Sequence, residues 1–486
     1  MTFAPTPEQL AIVSAATDTS DNLLISALAG AAKTSTLELI AHALPGVNTL
    51  CMAFNKRIAD EMSSRLPPHC EARTLNAIGH RAWMQTTGLR LTLDTRKNYK
   101  ILSECIKRLP KRDQDPAWKC MSEVLDAVGW AKSSGHVPDA YTAHKHTRLM
   151  SDRELFDSLP EILSPLAEQL VLEVTLESIK QSFVGIIDFN DQLLMPTVFR
   201  ATFPIYTLLL VDEAQDLSAL NHAIIQKLYR RRIIAVGDQC QAIYGFRGAH
   251  EDGMSALQGR FDMKPLTLSC SFRCPASVVR HVKWRAPHMT SWSGAGEGSV
   301  TTLHSWDFTD LPEECTVICR NNAPLFTLAV RLLRAGRYPN LWGNDVVQGL
   351  LKILKKFGPG NMTQEAVHQS IDEWYDTKAK TSRRLGQLRD RTECLRIFAY
   401  SAPTLAEIIE YTTHLMRSTG TVHLMTGHKA KGHEWANVFF LNESLVKDDG
   451  QDPNLRYVIA TRAKENLVYI NMDQCTEVFD DEGEEL

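Results

Sequence analysis

Leu23-Leu24-Ile25-Ser26-Ala27-Leu28-Ala29-Gly30-Ala31-Ala32-Lys33-Thr34-Ser35-Thr36 is the stretch on which the fold turns. An apolar run with the composition of a buried strand gives way to small residues and then Lys-Thr, after which Leu37-Glu38-Leu39-Ile40 opens a helical pattern. Strand, tight loop and helix in that order make a phosphate cradle. Small side chains let backbone N–H groups close on phosphate oxygens, the helix N-terminus adds partial positive charge, Lys33 reaches terminal phosphates, and the Thr34 hydroxyl can ligate Mg2+. The pattern G-x-x-x-x-G-K-[ST] has glycine where this chain has Ala27 and Ala32. The Ala32 methyl sits beside the phosphates, so either the loop takes φ < 0 there or nucleotide binding is weakened.

Working outward, Thr6 is placed to cap a helix that begins at Pro7, with Gln9 three residues on. Strand candidates follow at Thr49–Phe54 and Ala72–Leu75, each leading into a helical pattern. Three strand–helix units in the first 85 residues predict a doubly wound parallel sheet. From about 86 to 185 the periodicity is helical, and the basic clusters Arg96-Lys97, Lys107-Arg108 and Lys111-Arg112 read as solvated helix faces, with a DNA track as the alternative. Strands return at Tyr206–Val211 and Arg232–Val236. A second α/β unit is expected to open near Leu266, with strands at Leu266–Leu268, Thr316–Cys319 and Asn437–Leu441, interrupted by helical sequence from about 345 to 415.

The apolar strand ending in Asp212-Glu213 completes a nucleotide site. It puts the Asp212 carboxylate at a strand end, where it can hold Mg2+ through water, and sets Glu213 beside it to polarise an attacking water. A nucleotide and Mg2+ are therefore expected.

Composition narrows the remaining choices. The 486 residues suggest two to four domains, and 44% hydrophobic with 23% charged residues is ordinary globular material. A net charge of -4 argues against a uniformly basic nucleic-acid coat but permits a local basic groove. No stretch approaches the ~20 apolar residues of a membrane span, and Met1-Thr2-Phe3-Ala4-Pro5 has no signal-peptide character. The expected location is cytoplasmic or nucleoid-associated, or nuclear in a eukaryote, with no membrane partner. Eleven scattered cysteines fit a reducing compartment, and the C-x3-C pairs Cys270/Cys274 and Cys315/Cys319 lack the spacing of a structural zinc site.

With these residues in place the chain resembles superfamily 1 DNA helicases of the UvrD/Rep/PcrA type, and among them the compact F-box DNA helicase and phage members. The resemblance runs from the loop at Ala27–Thr34 through Phe54-Asn55-Lys56, Thr74–His80, Asp188-Phe189 with Leu193-Leu194, Asp212–Asp216 and Gly237–Ala249. In the second half it is carried by Ser271-Phe272-Arg273, Met425–Trp435 and Tyr457–Ala463. It implies two tandem RecA-like P-loop motor domains with helical insertions. The first would span 1–85 and 186–262 around an insertion at 86–185; the second would span 263–344 and 416–486 around a reduced insertion at 345–415.

The resemblance also assigns residues. Gln9 would read adenine, and Ala27, Leu28, Ala29, Gly30, Ala31, Ala32, Lys33, Thr34 and Ser35 would surround the phosphates, Ser35 replacing the arginine that often covers the base. Phe272 would stack on adenine and Glu434 would lie near the ribose. Lys33, Glu213, Gln241, Arg273 and Arg462 would carry catalysis, and Thr34 and Asp212 would hold the metal. Phe54, Asn55, Lys56, Thr74, His80, Tyr244, Phe246, Arg247, Thr426 and His428 would meet nucleic acid. The implied activity is ATP-dependent translocation on single-stranded DNA, 3′ to 5′, with duplex unwinding, on single-stranded and forked DNA and with an unidentified loading partner. A single-stranded-DNA-binding ATPase or protein-remodelling translocase with little unwinding is the alternative.

Overall fold

The computed structural model describes residues 4–53, 55–245 and 253–476. Phe54, Phe246 and Arg247, named above, lie outside the described residues. The chain divides into two compact units, one chiefly of residues up to Leu268 and the other chiefly of residues from Ser269. The α/β expectation holds in both.

The first unit is built on a six-stranded parallel sheet of β1 (Leu23–Ala27), β2 (Thr49–Ala53), β3 (Cys70–Thr74), β4 (Leu208–Val211), β5 (Arg232–Gly237) and β6 (Lys264–Leu268), in the spatial order β3-β2-β4-β5-β1-β6. Every residue of β2 and β4 is buried, as near-continuous apolar strands covered on both faces must be. Parallel strands aim all their C-terminal ends at one edge, and the loops there are where such sheets bind ligands. The loop after β1 and the Asp212-Glu213 pair after β4 both leave from that edge.

One strand falls elsewhere than expected. Leu266–Leu268, read as opening the second α/β unit, belongs to β6, which pairs with β1 along its whole length from Leu23↔Lys264 to Ala27↔Leu268. The reason lies in its residues. Lys264, Pro265 and Thr267 are exposed, and a proline without an N–H is tolerated at a sheet edge, which is the position β6 fills.

Helices Lys97–Arg108, Met121–Ser133 and Pro165–Phe183 of the same unit share a separate core around Leu102, Val124, Val128 and Val171. In the Arg96-Lys97 cluster Arg96 is exposed as expected, but Lys97 is not: it is 1% exposed and ion-paired, because a buried carboxylate waits for it.

The second unit has its own six-stranded parallel sheet, made of β7 (Ser299–Thr302), β8 (Cys315–Cys319), β9 (Pro339–Leu341), β10 (Val422–Thr426), β11 (Trp435–Leu441) and β12 (Ala463–Ile470) in the order β7-β12-β11-β8-β10-β9. Helices Asn344–Leu354, Gln364–Ala379, Leu385–Ala399 and Leu405–Met416 pack Leu350, Ile371, Phe398 and Ile408 into one core with Val317 and Leu424 of the sheet. Among the described residues no helix is long and apolar enough to cross a membrane.

Candidate nucleotide and nucleic-acid site

Thr6 caps helix Pro7–Asp18 as its sequence predicts, in a full capping box with Gln9. The Gln9 side chain goes further. Its Oε1 accepts from Thr6 N at 3.0 Å, and its Nε2 donates to Thr36 Oγ1 at 3.1 Å, tying the first helix to the first turn of the loop helix Lys33–Ala43. Thr36 Oγ1 in turn donates to Ala32 O at 3.0 Å. At the head of that helix Ala32 has φ 56° and ψ 45°, the left-handed region. The loop therefore takes the left-handed path, and of the two alternatives for Ala32 the one with φ < 0 does not hold. An L-residue there costs roughly 1–2 kcal/mol through its Cβ.

Behind the loop, the acidic strand end forms a connected chain of hydrogen bonds. Thr34 Oγ1 donates to Asp212 Oδ2 at 2.7 Å, and Asp212 Oδ1 accepts from the Glu213 backbone N–H at 2.9 Å. Glu213 Oε1 lies 3.5 Å from Lys33 Nζ, and its Oε2 accepts from Gln215 Nε2 at 2.6 Å. Gln215 Oε1 accepts from the Asp238 backbone N–H at 2.9 Å, and Gln241 Nε2 donates to Asp238 Oδ2 at 2.7 Å. Burial, and then the charge of Glu213, push the Asp212 carboxyl up to about 6. Burial likewise raises Asp238 above the ordinary carboxylate range. A cluster of carboxyls held above its ordinary titration range is a site that gains from a cation. The Thr34 hydroxyl and Asp212 carboxylate are the hard oxygen donors Mg2+ prefers, and one or two protein oxygens beside substrate phosphates is its usual protein share.

The candidates for nucleic-acid contact divide by how their side chains are used. Asn55 Oδ1 accepts from Ile58 N at 2.9 Å, and Thr74 Oγ1 accepts from Ala77 N at 3.2 Å, so both cap the helices they precede. Lys56 is exposed and Tyr244 half-buried. His80 Nδ1 lies 3.3 Å from Gln192 Nε2. Two neighbours escaped the sequence reading as site residues. Phe189 is 56% exposed, and its carbonyl accepts from Asn76 Nδ2 at 2.9 Å on the same helix that carries His80. The signal available in the sequence was the aromatic residue of Asp188-Phe189 itself.

Within the second unit, Arg273 Nε is ion-paired with Glu434. Arg462 is buried: its Nε donates to Val458 O at 2.8 Å and its Nη1 to His433 O at 3.1 Å. Burial, reinforced by the charge of Arg273, pulls this guanidinium down to about 9. Phe272 lies with its ring centroid 6.3 Å from that of Trp292. Thr426 precedes the short helix Gly427–Ala430, which carries His428, and both are half-buried.

Residues 6–262 match the UvrD/REP helicase N-terminal domain, and residues 421–470 match the UvrD-like helicase C-terminal domain. The chain belongs to the UvrD/REP helicase family. It is also 24% identical over 510 aligned residues to F-box DNA helicase protein 1 of Schizosaccharomyces pombe (strain 972 / ATCC 24843), with 95% of this chain and 57% of that protein covered. The chain thus spans a little over half the length of that relative. Within this UvrD/REP helicase the N-terminal match contains both halves of the hydrogen-bonded chain, Lys33-Thr34 and Asp212 to Gln241. The C-terminal match contains Glu434 and Arg462.

Proposed function

We propose that this chain is an ATP- and Mg2+-dependent motor that translocates 3′ to 5′ along single-stranded DNA and unwinds duplex DNA. The observation that carries the reading is the unbroken path from Thr34 through Asp212, Glu213, Gln215 and Asp238 to Gln241. Lys33 and the loop N–H groups would hold the phosphates, and Thr34 and Asp212 the metal, whose bound charge supports the loosening γ-phosphoryl group. Glu213 would take the proton of the attacking water, and Gln241 would report the state of the γ-phosphate back along the path. Arg273 and Arg462 are the candidates for the remaining positive charge that phosphoryl transfer requires.

Bases would stack on Phe189 and Tyr244, with Lys56, His80 and His428 toward the strand; such stacking is worth ~1–3 kcal/mol per base with little sequence preference. The proposed domain layout is two motor domains, with helical insertions at 86–185 and 345–415. Strand separation on a 3′-tailed against a 5′-tailed duplex tests the proposal. Unwinding that requires ATP and the 3′ tail is expected, while unwinding from the 5′ tail alone overturns the polarity. ATP hydrolysis without strand separation on either substrate favours a translocase that does not unwind.

A further inference from the structure

Four charged side chains are buried together at the root of the turn that carries Phe189. Lys97 Nζ lies 2.7 Å from Asp191 Oδ2; Lys132 Nζ lies 2.6 Å from Asp188 Oδ2 and 2.8 Å from Asp191 Oδ1. The side chains of Lys97, Lys132 and Asp191 have no exposed surface. Further ammonium protons go to Ser178 and Ser182 of helix Pro165–Phe183. Burial works against the Asp191 charge, yet Lys132 and Lys97 together hold its carboxyl below the ordinary range. The two aspartates also close the turn on itself, each accepting from the other's backbone N–H at 2.9 Å.

An apolar cluster of the same volume would hold these helices as well or better, so what the charges add is direction. Their direction is passed on. The Phe189 carbonyl and the Gln192 side chain both accept from Asn76 Nδ2, any side chain at Gly79 would collide with the Gln192 carbonyl, and Gln192 Nε2 reaches His80. We propose that the Lys97–Lys132–Asp188–Asp191 quartet is a positioning device for single-strand binding. It fixes the turn that presents Phe189 and, through Asn76 and Gln192, the helix Leu75–Thr87 that presents His80. The inference rests on the reading above that this face receives a single strand.

The test is the affinity of a fluorescently labelled oligothymidylate, read by anisotropy without ATP, in the charge-balanced variants Lys97→Met with Asp191→Asn and Lys132→Met with Asp188→Asn. Each should stay folded and bind about tenfold more weakly, the size of one lost base stack. ATP turnover at saturating DNA should stay within about twofold of the parent, as the positioning role touches binding and not the chemistry. Phe189→Ala should weaken binding to a similar extent, and adding it to either pair should weaken binding no further. Folded variants that bind like the parent, or losses that multiply with Phe189→Ala, overturn the proposal. Should the paired variants unfold, Ser178→Ala and Ser182→Ala each remove one oxygen from the lysines and should raise Kd measurably; unchanged affinity in both overturns it. A parent protein that binds the strand without hydrolysing ATP removes the motor reading and leaves this test intact, whereas one that binds no strand removes both.

Discussion

Ala32→Gly isolates the one place where the phosphate loop departs from the path its residue types favour. Ala32 sits at φ 56°, ψ 45°, where its Cβ crowds the following carbonyl at a cost of roughly 1–2 kcal/mol. Glycine removes that cost but gives back ~0.4–1 kcal/mol through a more flexible unfolded chain. The net gain is about 0.5–1 kcal/mol, or a melting temperature higher by ~1–4 °C for a unit of this size. Affinity should behave differently. The Ala32 carbonyl is held inside the protein by Thr36, which donates to it from both Oγ1 and the backbone N–H at 3.0 Å, so the strain should be common to the free and nucleotide-bound loop and cancel from the binding free energy. The assay is thermal unfolding of the two proteins alongside titration of a fluorescent ATP analogue. A melting temperature that rises with Kd unchanged within about twofold supports the reasoning. A melting temperature that falls shows that Ala32 is not strained, and a Kd more than fivefold tighter shows that the unliganded loop lies elsewhere.

Other substitutions follow from the same geometry. Asp212 titrates near 6 in the folded chain, above its unfolded value, so its stabilising contribution is complete below about pH 4 and is lost as pH rises through 6. Without metal, denaturant midpoints of the native chain should therefore fall between pH 4.5 and 7 more steeply than those of Asp212→Asn; parallel curves would contradict the assignment. Asp191→Ala leaves Lys97 and Lys132 buried without their shared carboxylate and should destabilise the first unit by about 3–5 kcal/mol, measured by urea unfolding. Gln9→Ala removes the link between Thr6 and Thr36. It should lower stability by ~1 kcal/mol, read from the midpoint of urea unfolding.

The strand ends of the first unit were legible because they are written locally. An apolar strand followed by small residues and Lys-Thr, and a second apolar strand followed by Asp-Glu, each specify a strand end with the right charge on it. The α/β class followed from the same alternation. What stayed hidden was set by partners distant in sequence. Nothing near Leu266 says that its strand joins β1, more than 230 residues earlier, because sheet membership of an edge strand is decided by which backbone is left open. Lys97 looked like surface because its partner Asp191 lies 94 positions away. Gln215 could be placed in a motif, but its bridge to the Asp238 backbone depends on β4 and β5 lying side by side. The backbone angle of Ala32 was the least legible, since residue type alone argued against it.

The most direct test of the motor is steady-state ATP hydrolysis by the purified chain, with and without single-stranded DNA, beside Lys33→Ala and Glu213→Gln. The account predicts hydrolysis that rises at least tenfold with DNA in the native chain and falls to background in both variants, with Glu213→Gln still binding nucleotide. Hydrolysis in the native chain that DNA does not stimulate, or that survives in both variants, would contradict it.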